Sequence, residues 1–465
     1  MSGIDSLQNP RRRDAWGEWN IEELAAYPKF GHEHDVHHQS LTRAIEKINV
    51  EEVERLLQDP EISVNEHDAH GRTPLSRAMD TRSKEIVDCL LDSDRVDVDA
   101  ADKDESTPLW RALTQYYHQG IQPIAASIIR KANINMPSRT DESALFYAVK
   151  DEIQRAKKQF RQKLERGKFS FESTHTSMLS LLLDRDDLDV DQVDSEGRSP
   201  LSLAAMEPNP AVLNMLLKTG RFNLNCRDKN GRTPLSWAAA VGGYPNTITS
   251  LLKRPEIEAC SPDNCGRTPL IWAILNGNEG TMKLLLERSD SGINVPDVSG
   301  RTPLSWAAQK GGVTTVETLL AARDIDKNKP DAHGRTPLSW AVEKRTCGVE
   351  NKPVFSRERQ ENEKIVGLLM EPKYWPRDKT GRSPLSWAAA SADLAIVKYF
   401  VDRAGVDIEE RDDDGRTPLS WAAERGDRGV VDYFLNVPAD VNSRDHQGRT
   451  PLYWAAVANY KSNMR

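Results

Sequence analysis

The sequence has few of the features that mark secreted or membrane proteins. Its 465 residues include only five cysteines, an odd number scattered along the chain, which is typical of a reducing compartment. No segment approaches the ~18 consecutive apolar residues of a membrane-spanning helix, and no apolar run follows Arg11–Arg13 to form a signal peptide. We therefore expect a soluble protein of the cytoplasm, or of the nucleus if the three arginines act as an import signal.

Motifs of catalysis and metal binding are missing as well. The sequence contains no phosphate-binding loop, no Gly-x-Gly-x-x-Gly, no Gly-x-Ser-x-Gly and no His-Glu-x-x-His. Four histidines lie between residues 32 and 38, but Val36 stands where a zinc-binding helix would need the second histidine. Cys260 and Cys265 resemble half of a zinc site without a second pair nearby. We expect no enzyme activity, cofactor, metal or small-molecule substrate.

Positive charge is in deficit, with 63 lysines and arginines against 71 acidic residues and a net charge of −8. This balance argues against general affinity for nucleic acid or anionic membranes. Only 38% of residues are hydrophobic and 29% are charged, which suits a slender protein with a large surface. A stacked array fits such a composition, since each of its units buries an apolar face only against its neighbours.

One nine-residue stretch, Gly-Arg-Thr-Pro-Leu-Ser-Trp-Ala-Ala, recurs throughout the chain. It occupies residues 231–239 and returns almost unchanged at 300–308, 334–341 and 415–423. The Thr or Ser before its proline recurs about every 34 residues, a period that predicts a stacked-repeat protein. The markers stand at positions 73, 107, 199, 233, 268, 302, 336, 383, 417 and 450.

Each residue type in the repeat has a local physical reason. Asp228 followed by x-x-Gly predicts a tight turn, because glycine accepts a positive φ without steric cost. Thr233 and Pro234 predict the start of a helix, since threonine caps it and the missing proline N–H is not needed there. A second helix is indicated by apolar residues four apart, such as Val430 with Phe434.

The Thr-Pro-Leu-x-x-Ala signature resembles that of the ankyrin repeat over about residues 39–465. The family usually has histidine after Thr-Pro-Leu, whereas this chain has serine, as at Ser236. The resemblance implies an all-α, ankyrin-type solenoid of about twelve helix-turn-helix repeats with short β-turn fingers. The resemblance also implies that the protein is not an enzyme and that it acts as an interaction scaffold for one or more proteins. Units with Ser-Trp-Ala-Ala look like the ankyrin arrays of filamentous fungi, which suggests an alternative: a regulatory or sensor component of a larger fungal complex whose catalytic part is on another chain.

Four segments are expected. Residues 1–38 form a lead-in or cap, and residues 39–150 hold degenerate repeats 1 to 3 and the start of repeat 4. Residues 151–173 form a basic helical insertion, either an extended first helix with solvated charges or a contact for a calmodulin-like partner or membrane surface. Residues 174–465 hold the remaining repeats, the twelfth of them incomplete. Since that repeat lacks a second helix, we expect either a fragment or an end covered by a partner or another copy.

Two series of residues recur with the repeat, one of tryptophans and one of arginines. We interpret the tryptophans as packing between repeats, with base-stacking platforms as the alternative. For the arginines we favour an internal ladder with the finger aspartates, and a row that reads acidic or phosphorylated peptide is the alternative. The finger of the third repeat, where Asp104-Glu105-Ser106 replaces the usual glycine and arginine, is expected to be distorted.

In the ankyrin family, partners contact the fingertips and the first-helix face that lines the concave groove. Carried over to this sequence, the implied partner-binding residues are those at the finger tips, at the finger bases and at the end of one first helix. They are Lys229, Asn230, Arg232, Asn264, Arg267, Val298, Ser299, Arg301, Gln309, Lys310, Ala332, His333, Arg335, Lys379, Thr380, Arg382, Asp413, Asp414 and Arg416.

Overall fold

The computed structural model describes residues 35–166, 177–242, 244–310, 312–343, 356–370 and 376–463. The chain divides into two compact units, Met1–Lys131 and Ala132–Arg465. Over the described ranges the regular secondary structure is helical, without a strand. The predicted all-α class is therefore confirmed.

The first unit contains three helix pairs, which are repeats 1 to 3. Its helices are α1 (Asp35–Glu46), α2 (Val50–Gln58), α3 (Pro74–Thr81), α4 (Lys84–Leu91), α5 (Pro108–Gln115) and α6 (Gln122–Lys131). Helix α1 begins inside the segment that the sequence assigns to the lead-in. The arginine run at 11–13 and the first two histidines of the 32–38 cluster lie outside the described residues.

The second unit contains repeats 4 to 12, and the described part of the twelfth is a single helix. A π-helical segment, Tyr399–Arg403, continues α20. The helices are α7 (Ala144–Arg166), α8 (Met178–Leu183), α9 (Pro200–Ala205), α10 (Ala211–Thr219), α11 (Pro234–Val241), α12 (Pro245–Leu252), α13 (Pro269–Leu275), α14 (Glu279–Leu286), α15 (Pro303–Lys310), α16 (Val313–Leu320), α17 (Pro337–Val342), α18 (Ser356–Leu369), α19 (Pro384–Ser391), α20 (Leu394–Lys398), α21 (Pro418–Arg425), α22 (Arg428–Asn436) and α23 (Pro451–Asn463).

The first helix of repeat 6 starts as the sequence predicts. The Thr233 side chain accepts a hydrogen bond from the backbone N–H of Ser236 at 3.2 Å, and Pro234 occupies the first helical turn. The Ser236 side chain is fully buried, and its hydroxyl lies 3.2 Å from that of Thr233. The serine in place of the family histidine thus completes a buried hydroxyl pair at the helix start.

Within the second unit, like helices of successive repeats contact each other: α11 contacts α13, α13 contacts α15, and α12 contacts α14. The contact face of α11 consists of Leu235, Ala238 and Ala239, all of them buried. Small side chains allow the first helices to approach closely, while leucine and isoleucine of the second helices fill the other side of the core.

The fingers are tight turns, and from repeat 5 to repeat 12 each finger is joined to the next by a backbone hydrogen bond. In repeat 6 the Asp228 N–H donates to the Arg232 carbonyl at 3.0 Å, and the Gly231 N–H donates to the Asp228 carbonyl at 2.8 Å. The Asn264 N–H of the next finger donates to the Asn230 carbonyl at 2.9 Å. The backbone of each tip is therefore fixed by its neighbour.

The finger of repeat 3 is not distorted, so that expectation was wrong. The Asp102 N–H donates to the Ser106 carbonyl at 2.9 Å and the Glu105 N–H donates to the Asp102 carbonyl at 2.8 Å, as in the regular fingers. Glu105 takes the glycine conformation with a φ of 63°, at a cost of roughly 1–2 kcal/mol for a residue with a side chain. Arg111 pairs with Asp102 at 3.0 Å and replaces the missing arginine.

The basic insertion continues the first helix of repeat 4, because α7 extends without a break from Ala144 to Arg166. This agrees with the extended-helix interpretation up to Arg166, and residues 167–173 lie outside the described part. Two of its cations form ion pairs, Arg155 with Asp151 one turn earlier in the helix and Lys157 with Glu207 of repeat 5, each at 2.8 Å. Its role as a contact for a partner stays a prediction.

A further set of arginines, which the sequence pattern did not reveal, ties second helices to the following repeat. The Arg221 guanidinium donates to the carbonyls of Arg185 and Leu188, each at 2.6 Å. Arg288 donates to the Ile257 carbonyl at 3.0 Å in the same manner. Arg185, Leu188 and Ile257 lie in the segments that follow the second helices α8 and α12, so these side chains join each such segment to the next repeat.

The close approach of neighbouring fingers predicts a large difference between two glycine substitutions. A Cβ on Gly300, at φ 78°, would lie 2.5 Å from the Ala332 backbone nitrogen, whereas nothing lies within 4 Å of a Cβ on Gly426, at φ 77°. We expect Gly426→Ala to cost only the conformational term of about 1–2 kcal/mol, and Gly300→Ala to cost clearly more. Urea denaturation followed by circular dichroism measures both, and equal losses would contradict the finger packing.

Candidate partner-binding groove

The predicted fingertip residues are all exposed. Val298 has 73% of its surface accessible, the largest value among the exposed hydrophobic side chains outside the last repeat. The backbone beneath these side chains is held by the hydrogen bonds between fingers, so the side chains differ while their positions are fixed. The exposed tips are Lys229, Asn230, Asn264, Val298, Ser299, Ala332, His333, Lys379, Thr380, Asp413 and Asp414.

Behind the tips lies a continuous alternation of arginine and tryptophan, the arginine–tryptophan stack. Each guanidinium except that of Arg449 in the last repeat lies between the indole of its own repeat and that of the next. The Arg301 Cζ atom is 3.5 Å from the Trp306 ring centroid and 3.6 Å from that of Trp340. From repeat 6 onward the members are Trp237, Trp272, Trp306, Trp340, Trp387, Trp421 and Trp454, with Arg232, Arg267, Arg301, Arg335, Arg382, Arg416 and Arg449.

The stack joins repeats through cation–π attraction, which contributes about 0.5 kcal/mol at exposed sites and about 2 kcal/mol where the pair is desolvated. Trp340 retains only 7% of its accessible surface, and the other rings are half-buried. The rings therefore pack between repeats, as we predicted, but against guanidinium groups as well as apolar side chains.

The side chains of the finger aspartates accept hydrogen bonds from the tryptophan rings more regularly than they pair with the arginine side chains. In repeat 8 the Trp306 Nε1–H donates to Asp297 Oδ2 at 2.9 Å, while the other carboxylate oxygen accepts from the Ser299 and Arg301 backbone amides. The predicted arginine–aspartate ladder is thus only partly correct. Direct ion pairs occur in some repeats, such as Arg449 with Asp445 at 2.7 Å.

Several stacked arginines also find an acceptor eight residues later, at the end of the first helix. Arg301 donates to the Gln309 side chain at 2.7 Å, and Arg416 donates to Glu424 at 2.6 Å. Burial lowers the pKa of Arg301 to about 10, so the side chain stays charged at neutral pH. Because Arg301 and Arg416 are buried and hydrogen-bonded internally, they are the least accessible of the predicted arginines.

A shallow cavity of about 260 Å³ opens between the fingers of repeats 7 to 9. It brings together some of the predicted residues, and the remaining ones lie along the same array outside it. Trp306, Trp340 and the buried aspartates of repeats 8 and 9 complete its wall. The predicted residues that line it are Arg267, Val298, Ser299, Arg301, His333 and Arg335.

Among the described residues no cluster of three or more His, Cys, Asp or Glu side chains could hold a metal ion. Cys265 is exposed, and burial raises the pKa of the Cys260 thiol. None of the helices in the described ranges combines the length and apolarity of a membrane span.

Helix pairs, linked fingers and contacts confined to neighbouring repeats define a stacked-repeat protein. A family model for "Ankyrin repeats (3 copies)" matches residues 170–259, 238–331, 291–350 and 385–465, and one for "Ankyrin repeat" matches residues 70–103. These matches cover more than half of the chain, which belongs to the ankyrin-repeat family. No curated protein matches it. Ankyrin repeats are generally protein–protein interaction modules and typically lack catalytic activity.

The stack predicts graded effects of substitutions at one ring. Trp306→Leu removes the π face for Arg267 and Arg301 and the donor for Asp297. We expect a loss of about 2–4 kcal/mol in unfolding free energy. Trp306→Phe keeps a ring and should lose less. Urea denaturation measures both, and a phenylalanine variant as unstable as the leucine variant would contradict a cation–π contribution.

Proposed function

We propose that the chain is a non-enzymatic scaffold that binds a partner protein through the fingertips and groove of repeats 6 to 11. The observation that carries this proposal is a set of exposed, dissimilar side chains on a backbone that hydrogen bonds between fingers hold in place. Variation on a constant frame is what a specific protein interface requires. Because the surrounding stack already fixes the tips, little conformational entropy is lost on binding, and the free-energy cost of association is lower.

The cavity of repeats 7 to 9 is the centre of the proposed interface. It presents exposed Val298 and His333 beside the partly accessible Arg267 and Arg335. An apolar side chain surrounded by cations and hydrogen-bonding groups has the composition of a protein-recognition site, in which arginine and aromatic residues are enriched. No arrangement of a nucleophile with a base is needed for this role.

Site-specific photo-crosslinking in native cell extract tests the proposal. A benzophenone amino acid in place of His333 should crosslink a partner protein, because this position lies at the cavity. The same amino acid in place of Lys283, exposed on α14 in the second-helix layer, is the matched control.

The crosslink from position 333 should be lost when Val298 and Ser299 are both changed to alanine, with the melting temperature unchanged. Identical adducts from positions 333 and 283, or adducts that survive the double alanine change, would contradict the proposed surface.

A further inference from the structure

Three arginines of the stack differ from the others because no acceptor meets their guanidinium groups. Arg232, Arg267 and Arg382 make no side-chain hydrogen bond or ion pair with any described residue. The Nε atoms of most stacked arginines are buried without a partner, and in Arg382 an Nη atom is buried without a partner as well. The faces of the adjacent rings attract the positive charge but offer no lone pair to the five N–H donors.

The cause lies eight residues after each arginine. In repeats 9 and 11 that position holds a glutamate, and Arg335 and Arg416 donate to Glu343 and Glu424 at 2.8 and 2.6 Å. In repeats 6, 7 and 10 the same position holds a side chain that cannot accept a hydrogen bond: Ala240, Leu275 and Ala390 respectively. The chain therefore supplies a carboxylate to the guanidinium in repeats 9 and 11, and no acceptor at this position in repeats 6, 7 and 10.

Repeats 6 and 7 place two such guanidiniums against the same indole. The Cζ atoms of Arg232 and Arg267 lie 3.9 and 5.2 Å from the centroid of the same indole, Trp272. Lys229 is exposed on the finger of repeat 6 and adds a third positive charge. The nearby Asp263 carboxylate is already engaged, since it accepts from the Trp272 Nε1–H and from backbone amides.

We propose that Arg232 and Arg267 bind an acidic segment of the partner protein, whose carboxylates take the position that Glu343 and Glu424 occupy in repeats 9 and 11. This inference rests on the proposed scaffold function and names the chemistry of the partner. Guanidinium forks match carboxylates in a planar, bidentate geometry. The tryptophan rings hold the forks in place before the partner arrives, so little side-chain freedom is lost on binding.

The carboxylate is favoured over a phosphate by the array itself. Where the chain supplies the acceptor for this position, it supplies a carboxylate, as in Asp80, Glu343 and Glu424, or, for Arg301, the amide oxygen of Gln309. A tetrahedral phosphate would need to enter a space that these planar groups fill elsewhere. Phosphorylated segments are therefore the comparison in the test.

The test introduces an acceptor side chain at positions 240 and 275. The double variant Ala240→Glu and Leu275→Glu gives repeats 6 and 7 the acceptor that repeats 9 and 11 have, and it should fold normally for the same reason. Ala240→Met with Leu275→Met is the matched control, with long side chains but no carboxylate. Thermal melting verifies that all three proteins are folded.

The probe is a fluorescein-labelled oligoglutamate peptide, titrated at low salt and followed by fluorescence anisotropy. The wild-type protein and the methionine variant should bind it, and the glutamate variant should bind at least about tenfold more weakly, since charge-assisted hydrogen bonds are lost. Binding should also weaken as salt is added. Equal affinity of the glutamate and methionine variants would overturn the proposal.

Two further outcomes would also overturn it. Binding of a phosphoserine peptide of the same length, without binding of oligoglutamate, would assign the site to phosphate. Absence of binding by the wild-type protein to either peptide would remove the site altogether. In both cases a specific crosslink from position 333 would leave the scaffold function standing, so the two failures are distinguishable.

Discussion

The packing of repeats 6 to 12 against one another depends on one interaction, the insertion of an arginine side chain between two tryptophan rings of successive repeats. A guanidinium is weakly hydrated and planar, so it can leave water and lie flat against an indole at modest cost. In repeats 8 to 9 the two Arg301–indole distances are 3.5 and 3.6 Å, and in repeats 10 to 11 those of Arg382 are 3.6 and 3.7 Å. Because each ring also donates to its finger aspartate, the stack fixes finger and helix together, and the tips inherit a rigid base.

The stack also explains why some residues of the repeat are constant and their neighbours vary. Arginine and tryptophan recur because they contact each other across successive repeats, and aspartate recurs because it accepts from the tryptophan and the finger amides of its own repeat. At the finger tip of repeat 8, Val298 and Ser299 bond to the neighbouring fingers through their backbone, which leaves their side chains free to differ from those of other tips. The residue eight positions after the arginine varies from repeat to repeat. Its identity decides whether the guanidinium donates to an acceptor of the chain itself or is left to bind another molecule.

The sequence predicted the helix pairs, the turns and their number well, because each signal is local: the Thr233 cap, the adjacent proline and the turn glycine act within a few residues. It predicted less about the groove. The pairing of Arg301 with Trp340, and of Arg221 with carbonyls of the preceding repeat, joins residues more than thirty positions apart. The regular finger of repeat 3 was not predicted because Glu105 adopts a positive φ, a conformation that is usually expected only of glycine.

A double-mutant cycle across one layer measures the interaction between arginine and tryptophan. Arg301→Met and Trp340→Leu, made singly and together, isolate the energy that links repeats 8 and 9 through the stack. The account predicts that the two losses of unfolding free energy are not additive, with a coupling of about 1 kcal/mol or more. A coupling indistinguishable from zero would show that guanidinium and indole are only neighbours, and that other contacts hold the repeats together.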